Sequence, residues 1–323
     1  MTLLVVLEHD RGELPEASRE SLTSGRALAE QMGVAMAAVL IGSEAEGCIA
    51  GLGEFGAGTV FHATHELLTD YGPDAWADVV VQLATGISAT AITSTGTDRG
   101  NEVMAMVAAR MDLPFVANCT SVTTGDTWSM TRIQWGGSLL EDATLDAPVK
   151  LVSFSHHSVV AEPAAAPTIV DAQAYQPELD ASVVATMIQD RQVLSSGVTL
   201  ATAPVVVSGG RGVGSADGFG ILEELAELLG GRVGCSRAVT NNGWRNHADQ
   251  VGQTGTRIAP EIYIASGISG AIQHWVGAMA SKKILAINTD AEANMVVKAD
   301  WAIIADLHQV VPAIIEEVKR RQG

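Results

Sequence analysis

Positive charge is scarce in this sequence: 19 lysines and arginines stand against 37 aspartates and glutamates, a formal charge of −18 at pH 7. So acidic a surface repels polyphosphate and anionic membranes at long range, which argues against nucleic acid as a partner. Cysteine is equally sparse. Cys48, Cys119 and Cys235 are odd in number and share no metal-like spacing, so no disulfide framework is implied and reduced thiols in a bacterial cytosol or a mitochondrial-matrix-like compartment are expected. The chain also lacks a long apolar run near its start. Met1-Thr-Leu-Leu-Val-Val-Leu-Glu-His-Asp has no basic n-region and is too short to span a bilayer, so direct membrane insertion is not expected and the stretch reads as a first β-strand. No H-x-x-x-H accompanied by an acid is present, so no metal site is expected, and the pair His156-His157 reads as solvated loop.

What remains is a chain of 323 residues, 47% hydrophobic and 17% charged, long enough for two ordinary domains and rich in the small residues of tightly packed α/β layers. Apolar strands alternate with helical stretches from the start: Leu3–Leu7, Pro15–Met32, Val34–Ile41, Pro73–Thr85, Ala89–Ser94 and Asn101–Met111. Phe115–Thr123 and Trp128–Trp135 read as a hairpin across Thr124-Gly-Asp-Thr127, and Val149–Phe154 as a further strand. Residues 1–160 form the expected first domain. Residues 161–203 begin with Glu-Pro-Ala-Ala-Ala-Pro at 162–167 and show no sustained period beyond a short amphipathic stretch at Val183–Gln192, so they read as a linker or wrapping segment. Residues 204–323 resume the rhythm with a strand at Val205–Ser208, a helix at Asp217–Leu229, strands at Ile262–Ser266, Lys283–Ile287 and Trp301–Ala305, and a helix at Leu307–Arg320. The fold class expected is α/β, two Rossmann-like domains with mainly parallel sheets.

Two glycine-rich loops flank the strand at Ile262–Ser266: Asp249-Gln-Val-Gly-Gln-Thr-Gly255 before it and Gly267-Ile-Ser-Gly-Ala-Ile-Gln-His274 after it. Ser269 is placed to cap a helix running through Ile272, Trp275 and Met279, an arrangement that offers bare N–H groups and a positive dipole end to a phosphate. Gly210-x-Gly212-x-Gly214 follows a strand and precedes a helix, but its third glycine comes one residue early for G-x-G-x-x-G; Arg211 within it suits a pyrophosphate. Gly267-Ile-Ser-Gly-Ala lacks the last glycine of G-x-S-x-G, so a serine hydrolase is rejected. Ser236-Arg237, Gln250–Gly255, Ser269–His274, Asn288 and Asp306-Leu307 all fall at or just beyond strand ends, where the loops of an open parallel sheet converge on one crevice.

Ser208-Gly-Gly-Arg-Gly, Gly234-Cys-Ser-Arg-Ala, Gln250-Val-Gly-Gln-Thr-Gly, Ala259-Pro-Glu-Ile-Tyr-Ile, Gly267-Ile-Ser-Gly-Ala-Ile-Gln-His and Ala286-Ile-Asn resemble the signature of the electron transfer flavoprotein alpha subunit. The match runs in order and without gaps over about residues 204 to 318. Over the first domain it rests on the Leu-Glu-His opening, the strand–helix alternation and the Gly-Gly at 136–137.

The resemblance implies an FAD-binding domain in a heterodimer whose beta subunit completes the flavin environment and, in many family members, binds AMP. It further implies that Arg211 and Ser236 contact flavin and phosphate, that Arg237 lies over the isoalloxazine, and that Gln250, Val251, Gly252, Gln253 and Thr254 form the loop passing the flavin, the Thr254 hydroxyl near N5. Ser269, Gly270, Ala271, Ile272, Gln273 and His274 would form the helix start that holds pyrophosphate, with His274 toward the O2/N1 edge. Asn288, Asp306 and Leu307 would contact the phosphate and adenosine end. A cation and a proton donor beside N1/O2 favour an anionic reduced flavin, so Arg237, Thr254 and His274 are the expected flavin-tuning residues, with no catalytic residue in the ordinary sense. The implied function is an electron carrier that accepts electrons from flavin-dependent dehydrogenases and passes them to a membrane quinone oxidoreductase or another acceptor. The alternatives are a subunit of an electron-bifurcating, NADH-oxidising complex and a nucleotide-binding structural module. Thr289 where the family usually has lysine, Ala293-Asn294-Met295 for Ala-Pro-Ile, Thr256-Arg257 after Gln-Thr-Gly, Asn241 for aspartate, and an arginine-free Ser153-Phe-Ser-His-His157 mark a divergent branch.

Overall fold

The computed structural model describes residues 1–135, 139–189 and 198–322, and the chain divides into two compact units. The first takes the described residues of Met1–Gln134 and Leu139–Gln192, the second those of Trp135–Ser138 and Val193–Gly323.

In the first unit β1 (Thr2–Val6) runs through the middle of the sheet, with Leu3, Leu4 and Val5 wholly buried, as a strand covered on both faces requires. Helix α1 (Glu16–Met32) ends at Gly33, whose φ of 64° is a left-handed conformation that glycine adopts without a Cβ clash. There follow β2 (Ala35–Ile41), β3 (Thr59–Ala63), α2 (Pro73–Gly86), β4 (Ala89–Gly96) and α3 (Asp98–Met111), the last capped by the Thr97 hydroxyl, which accepts from the Gly100 amide at 2.8 Å. Strands β5 (Phe115–Thr123) and β6 (Trp128–Gln134) form the expected hairpin, β7 (Leu139–Leu145) extends it, and β8 (Lys150–Ser155) and β9 (Asp171–Tyr175) complete the sheet. The order is β7-β6-β5-β8-β4-β1-β2-β3-β9, parallel except for the antiparallel β5–β6–β7 meander.

The expected boundary at residue 160 falls too early. Val183 and Met187 join the apolar core of the first unit, and β9 pairs in parallel with β3 as its edge strand. Asp171-Ala-Gln-Ala-Tyr carries almost no apolar signal because four of its five residues are exposed, which is why the segment reads as linker. The amphipathic stretch at Val183–Gln192 is a 3-10 turn over Ala181–Thr186, and its last residues, like the Gly-Gly at 136–137, lie outside the described residues. A second correction concerns His156-His157. The two rings stack at 3.6 Å between centroids, His157 Nδ1 lies 3.3 Å from the buried Glu20 carboxylate, and the His157 amide donates to that carboxylate at 3.0 Å. A buried carboxylate needs compensation, so the pair is a built contact and not a solvated loop.

The second unit is a five-stranded parallel sheet. Its elements are β10 (Val205–Gly209), α4 (Gly220–Leu228), β11 (Arg232–Cys235), α5 (Arg237–Asn241), β12 (Ile262–Ser266), α6 (Ile272–Ala278), β13 (Ile284–Asn288), α7 (Asn294–Lys298), β14 (Trp301–Ile304) and α8 (Leu307–Gln322). Strand order is β11-β10-β12-β13-β14, all neighbours parallel. Leu222 and Leu225 of α4 and Val311 and Ile315 of α8 pack on one face with Val207, Ile264 and Ile287 of the strands. The chain leaves β10 toward β11 and then crosses to the other side for β12, so the sheet's topological switch point lies between the carboxyl ends of β10 and β12.

Candidate functional site

A cavity of about 570 Å³ opens at that switch point, within the range of roughly 300–1,000 Å³ usual for small-molecule sites. Every strand of the second sheet contributes to it from its carboxyl end: Arg211 and Gly212 after β10, Ser236 and Arg237 after β11, Gly267 to Ala271 after β12, Asn288 at the end of β13, and Asp306 and Leu307 after β14. Gln273 and His274 of α6 complete the lining among the expected residues.

The glycine loops hold one another at close range. The Gly210 amide donates to the Ser266 carbonyl at 2.9 Å and the Gly212 amide to the Gly267 carbonyl at 3.2 Å. Gly270, at φ 76°, packs so closely that a Cβ there would lie 2.8 Å from Met295 Cα. The glycine spacing, one residue short of the dinucleotide fingerprint, is thus set by the meeting of the β10 and β12 loops.

Arg211 and Arg237 are exposed, and neither guanidinium has a hydrogen bond or ion pair among the described residues. Two uncommitted cations facing one cavity in so acidic a chain favour an anionic ligand. Asn288 is occupied differently: its amide nitrogen donates to the Ile268 carbonyl at 3.0 Å and its oxygen accepts from the Asp290 amide at 3.1 Å, so it ties two cavity-lining loops together. Asp306 accepts from the His308 amide at 2.9 Å across the first turn of α8.

Helix α6 starts later than the sequence suggests. Ala271 is its N-cap and makes no side-chain cap bond, so Ser269 lines the cavity as a loop residue and not as the cap; the helix ends at Ala278, before Met279. His274 lies in its first turn and is buried. Its Nε2 is 2.7 Å from the Tyr263 hydroxyl, while Nδ1 makes no hydrogen bond of good geometry among the described residues, although the Val251 backbone approaches the ring. Burial pushes its pKa down to about 4, opposed only in part by the Val251 backbone, so the ring is neutral at pH 7.

Not all the expected residues come to the cavity. Gln250, Val251, Gly252, Gln253, Thr254 and Ile272 are absent from its lining. Gln250 is buried, accepts from the Thr240 hydroxyl at 2.9 Å and donates to the Thr254 hydroxyl at 2.9 Å; the Gln253 amide donates to the Gln273 carbonyl at 2.7 Å. This loop props the start of α6. Arg257, exposed, is likewise outside the lining, whereas Thr289 lines the cavity. Sequence reasoning missed Tyr263, because a buried aromatic inside a strand carries no signal beyond core. It also missed Ile268 and Ile287, apolar walls whose strand-end positions are the one clue to them. Among the described residues no helix is long and apolar enough to cross a membrane.

Residues 199–279 match a family described as electron transfer flavoprotein FAD-binding domain, and residues 3–178 one described as electron transfer flavoprotein domain. The chain is 35% identical over 322 residues to the electron transfer flavoprotein subunit alpha of Thermoanaerobacterium thermosaccharolyticum, covering 98% of this chain and 97% of the relative. It is 38% identical over 330 residues to Protein FixB of Clostridium saccharobutylicum, covering 98% and 95%. It is 34% identical over 323 residues to the electron transfer flavoprotein subunit alpha of Mycobacterium leprae, covering 99% of each.

Proposed function

The chain belongs to the electron transfer flavoprotein alpha-subunit family, and on that premise we propose that its second unit holds FAD in the switch-point cavity and that the protein is an electron carrier working as a heterodimer with a beta subunit. The observation that carries this reading is the convergence on one cavity of two uncommitted arginines, Arg211 and Arg237, with His274, whose buried Nδ1 makes no hydrogen bond of good geometry among the described residues. The donor set suits a flavin dinucleotide. The arginines answer a diphosphate or a negatively charged reduced ring, Ile268, Ile287 and Leu307 supply apolar walls, and a buried nitrogen lacking a hydrogen bond of good geometry is the kind of group a ligand completes.

Bound FAD would supply reversible electron acceptance on its isoalloxazine ring. This chain's residues set the conditions for it. Arg237 and Arg211 offset negative charge, His274 holds one ring proton while remaining neutral, and the Gln250–Thr254 loop keeps the start of α6 in place. Electrons would come from flavin-dependent dehydrogenases and leave to a quinone oxidoreductase or another acceptor; AMP would lie in the beta subunit. The relatives' names do not favour an NADH-oxidising bifurcating complex.

The test is co-production with the beta subunit, followed by an absorbance spectrum and cofactor extraction. A yellow complex with near-stoichiometric FAD is expected. A folded complex carrying an adenine nucleotide and no flavin would instead favour a nucleotide-binding module.

A further inference from the structure

Beneath the cavity lies a short polar chain that the residues of the site do not explain. Tyr263 is wholly buried in the middle of β12, and its hydroxyl is 2.7 Å from His274 Nε2. Ser208, buried in the adjacent β10, has a hydroxyl with no hydrogen-bond partner among the described residues. At the other end His274 Nδ1 is buried, without a hydrogen bond of good geometry among the described residues, on a residue that lines the cavity.

We propose that Tyr263 is a positioning residue: its hydroxyl donates to His274 Nε2, fixing the imidazole as the Nδ1–H tautomer, so that His274 meets the bound group as a neutral hydrogen-bond donor. This rests on the FAD reading for the identity of the group, though not for the tautomer.

Counting protons decides the direction. A neutral imidazole has one donor and one acceptor nitrogen, and each hydroxyl has one proton to give. If Tyr263 donates to Nε2, the phenol proton is satisfied and the one proton of the neutral ring sits on Nδ1. If Nε2–H donated to the phenol, the phenol proton would have no acceptor among the described residues, because the hydroxyl's one hydrogen bond there is to His274, and it would be stranded in a wholly buried position. A stranded buried donor is the worse outcome. Burial keeps the ring from taking a second proton, so the imidazolium form, with both nitrogens donating, does not compete at neutral pH. The choice matters to a flavin. The O2/N1 edge carries acceptors, and the other tautomer would present a lone pair to them.

The experiment is nitrogen NMR of the full chain in complex with its beta subunit, labelled at histidine ring nitrogens. The signals of His274 are identified among the eight histidines by their loss in His274→Gln. The expected spectrum shows Nε2 unprotonated and Nδ1 protonated. Tyr263→Phe is expected to retain FAD, to lose that signature, and to lower the equilibrium constant for flavin reduction by about tenfold, the equivalent of one hydrogen bond. A wild-type ring protonated at Nε2, or at both nitrogens, overturns the proposal, as does a Tyr263→Phe variant with unchanged tautomer and potential. The wild-type spectrum decides the question even if the variant fails to fold. Because the tautomer can be read with or without flavin, a complex that lacks FAD while showing Nδ1–H defeats the cofactor reading and leaves this one standing.

Discussion

Gly212 and Gly267 exclude each other's side chains: a Cβ on Gly212 would lie 2.8 Å from Gly267 Cα, and a Cβ on Gly267 would lie 2.8 Å from Gly212 Cα. These two glycines bring the β10 and β12 loops together at the switch point. Gly212→Ala is expected to cost about 1–3 kcal/mol through overpacking. Gly267→Ala should cost more, because Gly267 also sits at φ 63°, where a side chain adds roughly a further 1 kcal/mol. Urea unfolding midpoints of the two variants, compared at equal m-value, check the order.

Arg237 lines the cavity with its charge uncommitted. Arg237→Ala is expected to disfavour the anionic reduced flavin by about 1–3 kcal/mol, toward the lower end because the side chain is solvent-exposed. Spectroelectrochemical titration reads the effect as a fall in midpoint potential, with a lysine substitution restoring part of it.

The buried neutral His274 makes acid stability predictable. Its ring takes a proton near pH 4 in the folded chain and near 6.5 when unfolded. Between those values the unfolded chain binds more protons, so stability falls as pH falls from 6.5 toward 4, by roughly 3 kcal/mol from this group, and is unaffected by it above that window. In His274→Gln that part of the acid limb should disappear. Denaturant midpoints at pH 7 and pH 4.5 for the two proteins, without added flavin, measure it.

All three cysteines are buried. Burial pushes the Cys119 and Cys235 thiols up to about 12 and raises Cys48 as well. Thiolate is the reactive form, so a thiol reagent at pH 8 should label the native chain very slowly and all three sites at once in denaturant. Rapid labelling of one thiol in the native state would contradict this packing.

Much of this was legible in the sequence, for physical reasons. Buried parallel strands such as Ile262–Ser266 are short apolar runs that stop at glycine, and their carboxyl ends could be located well enough to bring Arg211, Asn288 and Asp306 to one edge. Strands with one polar or exposed face were not legible: Asp171–Tyr175 and Leu139–Leu145 are mostly exposed and lack the apolar signal. Nor was Arg232–Cys235, four residues long with a glycine inside. At the site, the resemblance implies that Gln250–Thr254 passes the flavin. Its role as a prop for α6 depends on the bonds from Gln250 to Thr254 and from Gln253 to Gln273, which only the fold reveals. Tyr263 was invisible for a related reason, since a tyrosine in a core strand looks the same whether or not its hydroxyl orients a histidine.

Where FAD sits can be tested most directly by its retention. Extracted FAD per heterodimer, measured for the wild type and for the Arg211→Ala, Arg237→Ala double variant at equal beta-subunit content and equal helicity, tests it. The prediction is near-stoichiometric FAD in the wild type and loss of most of it in the double variant. A folded wild-type complex without FAD, or a double variant that binds FAD as tightly as the wild type, would contradict the placement of the cofactor in this cavity.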